Sequence, residues 1–139
     1  APSTGASGTF ATSSTITTNA SGVAASPVFT ANTLTGAYTV TAASTGLTTL
    51  NFSLTNNPGA VSSIAILDGN NQSATVGTVY AKVLQVIAKD TYGNAVPAVS
   101  VTFTAPTSGA SGTFGGATTV ATNASGVASS PAFTANTIS

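Results

Sequence analysis

The strongest constraint on this chain is that it repeats itself. Residues 1–35 return without a gap 104 positions later as residues 105–139, and 23 of the 35 aligned positions are identical. The identities include the whole stretches GASGTF and TNASGVA, which a bias toward small residues does not produce in one register. A fixed period is typical of chains built from equivalent units. We therefore expect residues 1–56 to form the C-terminal part of one unit and residues 57–139 the N-terminal part of the next.

Apolar and polar residues alternate inside this period. Val99, Val101 and Phe103 are separated by Ser100 and Thr102, and alternation at a period of two predicts a strand that buries one face. The same pattern predicts strands at 36–42, 50–54, 61–67 and 80–89. Turns rich in Gly, Asn and Asp are predicted between the strands, at 6–9, 56–59, 68–71 and 90–94. Short strands at this spacing, without a helical period, predict an all-β sandwich or barrel.

One parity of each predicted strand carries the candidate core. Truncating such a buried side chain is expected to cost about 3–5 kcal/mol when it is a phenylalanine. The predicted core side chains are Tyr38, Val40, Leu84, Val86, Ala88, Val99, Val101 and Phe103.

The chain carries very little charge. Charged residues make up 3% of it, and all four lie between Asp68 and Asp90, whereas ordinary domains contain roughly 25%. A net charge near zero opposes association only weakly, so self-association is expected. No basic patch is present to bind nucleic acid or an anionic membrane. No apolar run has the length that membrane insertion requires.

The residue types needed for catalysis are also scarce. The chain has no His, Cys, Glu or Arg, so its many Ser and Thr hydroxyls have no conventional general base. Transition metals favour His and Cys ligands, and calcium binds weakly to a single carboxylate. Asp68 and Asp90 are predicted to cap their turns, the alternative being a carboxylate pair. We expect no enzyme, cofactor or metal site.

Three segments together carry a family resemblance. AKDTYGNAVPAVSVTFTAP, TNASGVA and GAYTVTA resemble the bacterial immunoglobulin-like repeat of invasin- and intimin-type surface adhesins. In this chain the Tyr strand precedes the Asp turn, which is the order expected of a window cut from a tandem array. The positions that match the family pattern are Gly36, Tyr38, Val40, Ala42, Asp90, Gly93, Asn94, Val96, Val101, Phe103, Thr122, Asn123, Gly126 and Ala128.

The resemblance implies an immunoglobulin-like β-sandwich in tandem repeats of period 104. It implies an extracellular or cell-surface protein with a structural or adhesive role, as a stiff stalk or a self-assembling fibre unit. Its partners would be neighbouring repeats or identical chains, with host or cell-surface glycans or proteins bound through domains outside this chain. The second unit lacks closing strands of the type of residues 36–54, which the continuing polypeptide or a neighbouring molecule would supply.

A carbohydrate-binding sandwich module of a secreted enzyme is the alternative function. Such modules stack exposed aromatic rings on sugars, and Tyr92, in a turn, is the one free candidate.

Two further sets of residues are candidate sites. By the resemblance, Leu84, Val86 and Ala88 point inward, so Val83 and Ile87 are predicted to point outward and form an interface with an adjoining unit or chain. The alternative is that a loop of the same unit covers them. Asn-x-Ser sequons, which chance also produces in so polar a chain, make the following residues candidate glycosylation sites: Asn19, Asn51, Asn71 and Asn123.

Overall fold

A computed structural model describes residues 1–138, and its regular structure consists of β-strands without a helix. The all-β prediction is therefore confirmed for these residues. No helix long and apolar enough to cross a membrane occurs among them. The chain divides into two compact units: unit 1 comprises residues 1–58, and unit 2 begins at Gly59.

Unit 1 consists of two antiparallel pairs of strands. Strand β1 (Gly8–Phe10) pairs with β2 (Phe29–Ala31), and β3 (Gly36–Ala42) pairs with β4 (Leu50–Asn56) along seven positions. The predicted strand at 36–42 is confirmed, and the predicted strand at 50–54 extends two residues further. Rings of Phe10, Phe29 and Tyr38 pack in series between the pairs, at centroid distances of 4.7 and 6.3 Å.

The apolar face of β4 is open. Leu50, Phe52 and Leu54 alternate as predicted, yet they are 62%, 55% and 38% exposed. Their polar neighbours are exposed too, so the expectation of a half-buried strand is wrong here. Asn56, on the same parity at the end of β4, is only 8% exposed, so this face is covered at that end and open toward Leu50.

Unit 2 contains three small sheets. The largest has three strands in the order β10-β6-β5, and the other two pair β11 with β8 and β7 with β9. The strands are β5 (Ser63–Asp68), β6 (Gln85–Lys89), β7 (Ser100–Thr102), β8 (Gly112–Phe114), β9 (Thr119–Ala121), β10 (Val127–Ser129) and β11 (Phe133–Ala135).

The core of unit 2 lies on the predicted parity. Ala88 and Ala128 are fully buried and Val101 is 8% exposed. Of the eight side chains predicted for core faces, Val40, Ala88 and Val101 are buried, which confirms them, and the other five are half-buried. Val83 and Ile87, on the opposite parity, are half-buried as well, so burial does not separate the two faces there. An aromatic cluster packs on the β8–β11 sheet, with ring centroids 4.6 Å apart between Phe114 and Phe133 and 5.5 Å apart between Phe133 and Tyr80.

The same face is open at its β5 edge. Ile64 pairs with Ala88 and Ile66 with Val86, and directly opposed residues share a face of a sheet. Ile64 and Ile66 are nevertheless 59% and 65% exposed. The core parity of unit 2 therefore holds both its best buried and some of its most exposed apolar side chains.

The run predicted as one strand at 80–89 is divided. The backbone N–H of Tyr80 donates to the carbonyl of Phe133 at 2.9 Å, whereas β6 starts only at Gln85. Between them the N–H of Leu84 donates to the Ser130 hydroxyl at 3.0 Å. The chain thus passes from the edge of β11 into the three-stranded sheet.

Candidate functional site

The repeated segments fold alike only in part: β1 and β2 recur as β8 and β11, whereas β9 and β10 have no counterpart strand at residues 15–17 and 23–25. In unit 1, Gly8 pairs with Ala31, and in unit 2 Gly112 pairs with Ala135, so the strand pairs β1–β2 and β8–β11 share one register. In both strands the paired positions of the two units differ by 104 residues, which is also the offset of the sequence repeat. We examine these two strand pairs first for a site, because the same sequence occurs there in two different surroundings.

An asparagine follows the second strand of each pair and binds the loop that precedes the first strand. We call this arrangement the asparagine clamp: Asn32 in unit 1 and Asn136 in unit 2. In unit 1 the side-chain amide donates to the carbonyl of Gly5 at 2.8 Å, and its oxygen accepts the N–H of Ser7 at 3.2 Å. Asn136 makes the same contacts with Gly109 and Ser111, also at 2.8 and 3.2 Å.

In unit 1 a second asparagine completes the clamp. The side-chain amide of Asn56, at the end of β4, lies 2.8 Å from the carbonyl oxygen of Ser7, 3.0 Å from Oδ1 of Asn32 and 3.1 Å from the carbonyl oxygen of Leu34. Asn56 is 8% exposed. The sequence pattern predicts a turn at 56–59, which does not indicate this role of Asn56. One feature of the sequence does point to it: Asn56 follows Leu50, Phe52 and Leu54 at a spacing of two, so all four side chains lie on the same face of β4.

Removing this clamp donor should weaken unit 1. Asn56→Ala leaves two backbone carbonyls without their side-chain donor in a buried site, so unfolding of unit 1 should become easier by about 2 kcal/mol. Asn51→Ala, on the same strand but exposed, is the matched control and should change stability by less than about 0.5 kcal/mol. Urea unfolding followed by the amide signals of unit 1 measures both. Equal midpoints for the two variants would contradict the clamp.

The clamp of unit 2 borders a cavity. The cavity has a volume of about 440 Å³, within the range of small-molecule and side-chain sites. Its wall includes Ala110, Ser111, Phe133, Asn136 and Ile138, with Val76 and Tyr80 on another side. None of the wall residues is charged, so the cavity offers apolar contact and hydrogen-bond acceptors rather than an electrostatic site.

The Asp90 carboxylate organises the turn after β6. Its Oδ1 accepts the backbone N–H groups of Tyr92 and Asn94, each at 2.9 Å. Its Oδ2 accepts the Asn94 side-chain amide at 2.9 Å and the N–H of Gly59 at 3.0 Å. The hydrogen bond from the Asn94 amide, helped by those from backbone N–H groups and opposed by burial, lowers the pKa of Asp90 from 3.8 to about 2. The prediction that Asp90 caps its turn is confirmed.

This lowered pKa predicts an acid-sensitive unit 2. The folded state binds the Asp90 proton more weakly than the unfolded chain, so its contribution is fully present above pH 3.8 and is lost as the pH falls through about 2. The melting temperature of unit 2 should therefore drop between these values. Asp90→Asn should melt lower at neutral pH and show a flatter decline in acid. A variant that keeps the full wild-type decline would contradict this assignment.

The second carboxylate is remote from the first. Asp68 Oδ1 accepts the N–H of Gly69 at 2.7 Å, and both its oxygens lie 3.0 Å from Lys82 Nζ. The hydrogen bond from Lys82 is the main cause of its lowered pKa. Asp68 and Asp90 stand at opposite ends of the β5–β6 ladder, roughly 16 Å apart at the usual rise per residue. They form no carboxylate pair, and each caps its own turn as predicted.

The other candidate residues are dispersed. Val83 and Ile87 are half-buried, and Ile87 stands between Ala65 and Val127 in neighbouring strands. Their interface with another unit or chain remains a prediction. Tyr92 is 66% exposed, as a sugar-stacking residue would have to be.

The sequon asparagines have two kinds of setting. Asn19 and Asn123 each use Oδ1 to accept two backbone N–H groups of their own turn, at distances of 2.9 to 3.0 Å. Asn51 lies exposed on β4, and Asn71 is exposed with a positive φ of 55°. Glycosylation at the four positions remains a prediction.

No group of three or more His, Cys, Asp or Glu that could hold a metal ion occurs among residues 1–138. Comparisons with protein-family models, with curated proteins and with solved structures found no match to this chain.

Proposed function

We propose that the chain is a structural or adhesive repeat module of an extracellular bacterial surface protein, in which immunoglobulin-like units form a stiff stalk or a self-assembling fibre. The observation that carries the proposal is that one strand pair with its clamping asparagine recurs at an offset of 104 residues. Units repeated in this way build elongated molecules in which each unit contacts its neighbours. The proposed location at the cell surface rests on the resemblance of the sequence to the bacterial immunoglobulin-like repeat.

The chemistry of the described residues suits a mechanical role. The turns are held by side-chain amides and by the Asp90 carboxylate rather than by disulfides, since the chain has no cysteine. Such hydrogen bonds need no redox partner and do not depend on the oxidising state of the surroundings.

The proposal is tested on the source cells. Antibodies raised against the chain should label unbroken cells, and the intact mass and peptide map of the captured polypeptide should show further segments at the period of 104. Labelling that appears only after permeabilisation would overturn the surface location. A captured polypeptide without further copies would overturn the repeat array.

A carbohydrate-binding module is the second candidate, favoured by the exposure of Tyr92. A glycan array probed with the full chain tests it. Binding that is lost in Tyr92→Ala and kept in Tyr92→Phe would support sugar stacking, because phenylalanine retains the ring. Absence of binding by the wild-type chain would exclude this candidate for the glycans on the array.

A further inference from the structure

We propose that Asp68 and Gly69 form a site of spontaneous modification, at which the aspartate isomerises to isoaspartate in the folded protein, and that the ion pair with Lys82 slows this reaction. The dipeptide Asp-Gly occurs once in the chain. Isomerisation starts when the main-chain nitrogen of the following residue attacks the aspartate carboxyl carbon, and glycine, which has no side chain, hinders the attack least. The modification does not depend on the proposed function.

The hydrogen bond between the two residues brings the reacting atoms together. The N–H of Gly69 donates to Oδ1 of Asp68 at 2.7 Å. Because Oδ1 is bonded to Cγ, a nitrogen this close to the oxygen also lies within van der Waals reach of the carbon. Holding two reacting groups in contact removes much of the entropic cost of bringing them together. The folded chain thus keeps the nucleophile beside the carbon that it must attack.

The Asp68 carboxylate is also accessible to water, which the reaction needs. Its side chain is 47% exposed. The bulge between Ile66 and Asp68 pairs Asp68 with Gln85, whereas Ile66 pairs with Val86. Directly opposed residues share a face of a sheet, so Asp68 lies on the face opposite the one that carries Ile64 and Ile66. Its exposure is therefore independent of what covers that apolar face.

The reaction consumes one water molecule and releases one. The Gly69 nitrogen forms a bond to Cγ of Asp68, and a carboxyl oxygen leaves as water with the proton of that nitrogen and the carboxyl proton, which gives a cyclic succinimide. Water then adds to a ring carbonyl. Addition at the former main-chain carbonyl of Asp68 breaks its bond to the nitrogen, so Gly69 stays joined to Cγ and the residue is isoaspartate. Addition at Cγ restores aspartate.

Lys82 opposes the first step. Its ammonium lies 3.0 Å from both oxygens of Asp68, and its hydrogen bond is the main cause of the lowered pKa of that carboxyl. A neutral carboxyl can release its oxygen as water, whereas a carboxylate must first gain a proton, so the ionised form reacts more slowly. The two groups are therefore held in contact while the carboxyl is kept in its less reactive state.

Isomerisation disturbs the loop that follows β5. Gly69 has a φ of 82°, and a Cβ on it would overlap the carbonyl oxygen of Val83. The side-chain amide of Gln72 donates to the carbonyl of Gly69 at 2.8 Å and to that of Lys82 at 2.9 Å. Isoaspartate lengthens the main chain by one carbon here, so Gly69 cannot keep both the close approach and the hydrogen bond. Modified chains should have a looser connection between β5 and β6.

Digestion of aged protein with endoproteinase Asp-N tests the proposal. This protease cleaves before aspartate and not before isoaspartate, and the chain offers it two sites, Asp68 and Asp90. The folded chain is kept at neutral pH below its melting temperature, and samples taken over time are unfolded and digested. Cleavage before Asp68 should fail in a growing fraction of chains, so that the fragment 1–89 replaces 1–67 and 68–89.

Asp90 is the matched control within the same molecule. The residue after it, Thr91, is β-branched and crowds the attacking nitrogen, and the Asp90 carboxylate is held by the N–H groups of Gly59, Tyr92 and Asn94. Cleavage should be lost at least about tenfold faster before Asp68 than before Asp90. Lasting cleavage before Asp68, or equal losses at the two sites, would overturn the proposal.

Lys82→Gln tests the role of the ion pair and of the folded geometry. The pair is exposed, so the variant should fold. It should lose cleavage before Asp68 in a shorter time than wild type, and an equal or longer time would refute the slowing by Lys82. The folded variant should also react faster than the same variant unfolded in urea, because only the folded chain holds the nitrogen against Cγ. An equal or slower reaction in the folded state would refute the contact as its cause.

Discussion

Gly112→Ala is expected to destabilise unit 2 by about 3 kcal/mol, the upper part of the range for an overpacked site. A Cβ at this position of β8 would overlap the carbonyl oxygen of Thr134 and lie 2.8 Å from Cζ of Phe133. The oxygen belongs to the backbone of the paired strand, so relief requires the β8–β11 pair to separate. Urea unfolding followed by the amide signals of unit 2 measures the loss.

Gly115→Ala is the matched control for this substitution. A Cβ there would lie 3.7 Å from the carbonyl oxygen of Ala132, an ordinary van der Waals distance. We expect a change of less than about 0.5 kcal/mol, as for other surface substitutions. If Gly112→Ala unfolded at the same urea concentration as Gly115→Ala, the register of β8 on β11 would be wrong.

Phe133→Ala should cost unit 2 about 3 kcal/mol, the lower end of the range for large-to-small phenylalanine changes, because the ring is half-buried. The substitution removes the ring that contacts both Phe114 and Tyr80, at 4.6 and 5.5 Å between centroids. Thermal unfolding of the full chain, read from the same amide signals, gives the difference.

Tyr92→Ala serves as the control for loss of an aromatic ring. Tyr92 is 66% exposed and contacts no other ring among the described residues, while its backbone N–H, which alanine keeps, makes the bond to Asp90. Its stability should stay within about 0.5 kcal/mol of wild type. Similar losses for the two variants would mean that the aromatic cluster does not hold unit 2 together.

The long strands could be predicted because seven residues are enough to show alternating apolar and polar side chains. The strand at 36–42 was predicted at its observed bounds, and the strands at 50–54 and 61–67 are present with shifted ends. Strands β8 and β11 have three residues each. The strand β7 is equally short but was predicted, because the alternation continues on both sides of it over residues 99–103. Residues 6–9, predicted as a turn, already contain the start of β1.

Alternation also shows which side chains share a face without showing whether anything covers that face. Leu50 and Ile66 follow the same pattern as the buried Val40 and Val101, yet they are 62% and 65% exposed. Cover depends on which other strands pack there, and that is a tertiary property.

The asparagine clamp was not predicted, for a related reason. Nothing in the sequence of a polar chain distinguishes a buried asparagine from an exposed one, and the role of Asn56 depends on Ser7, Asn32 and Leu34, which are distant in the sequence. The two turns capped by aspartate could be predicted, in contrast, because their hydrogen bonds join residues that are close in the sequence. Asp68 and Asp90 both cap the turns in which the sequence placed them.

The scarcity of ion pairs sets how this protein responds to ionic strength. Within residues 1–138 one salt bridge is formed, between Lys82 and Asp68, whose side chains are 61% and 47% exposed; such a pair contributes little and is readily screened. Sodium chloride from dilute buffer to seawater strength should therefore leave the melting temperatures almost unchanged. Sulfate acts differently, since it is excluded from protein surfaces and strengthens apolar burial. Molecules with this surface tolerate changing salinity and respond mainly to salts that make water a poorer solvent for their uncovered strands.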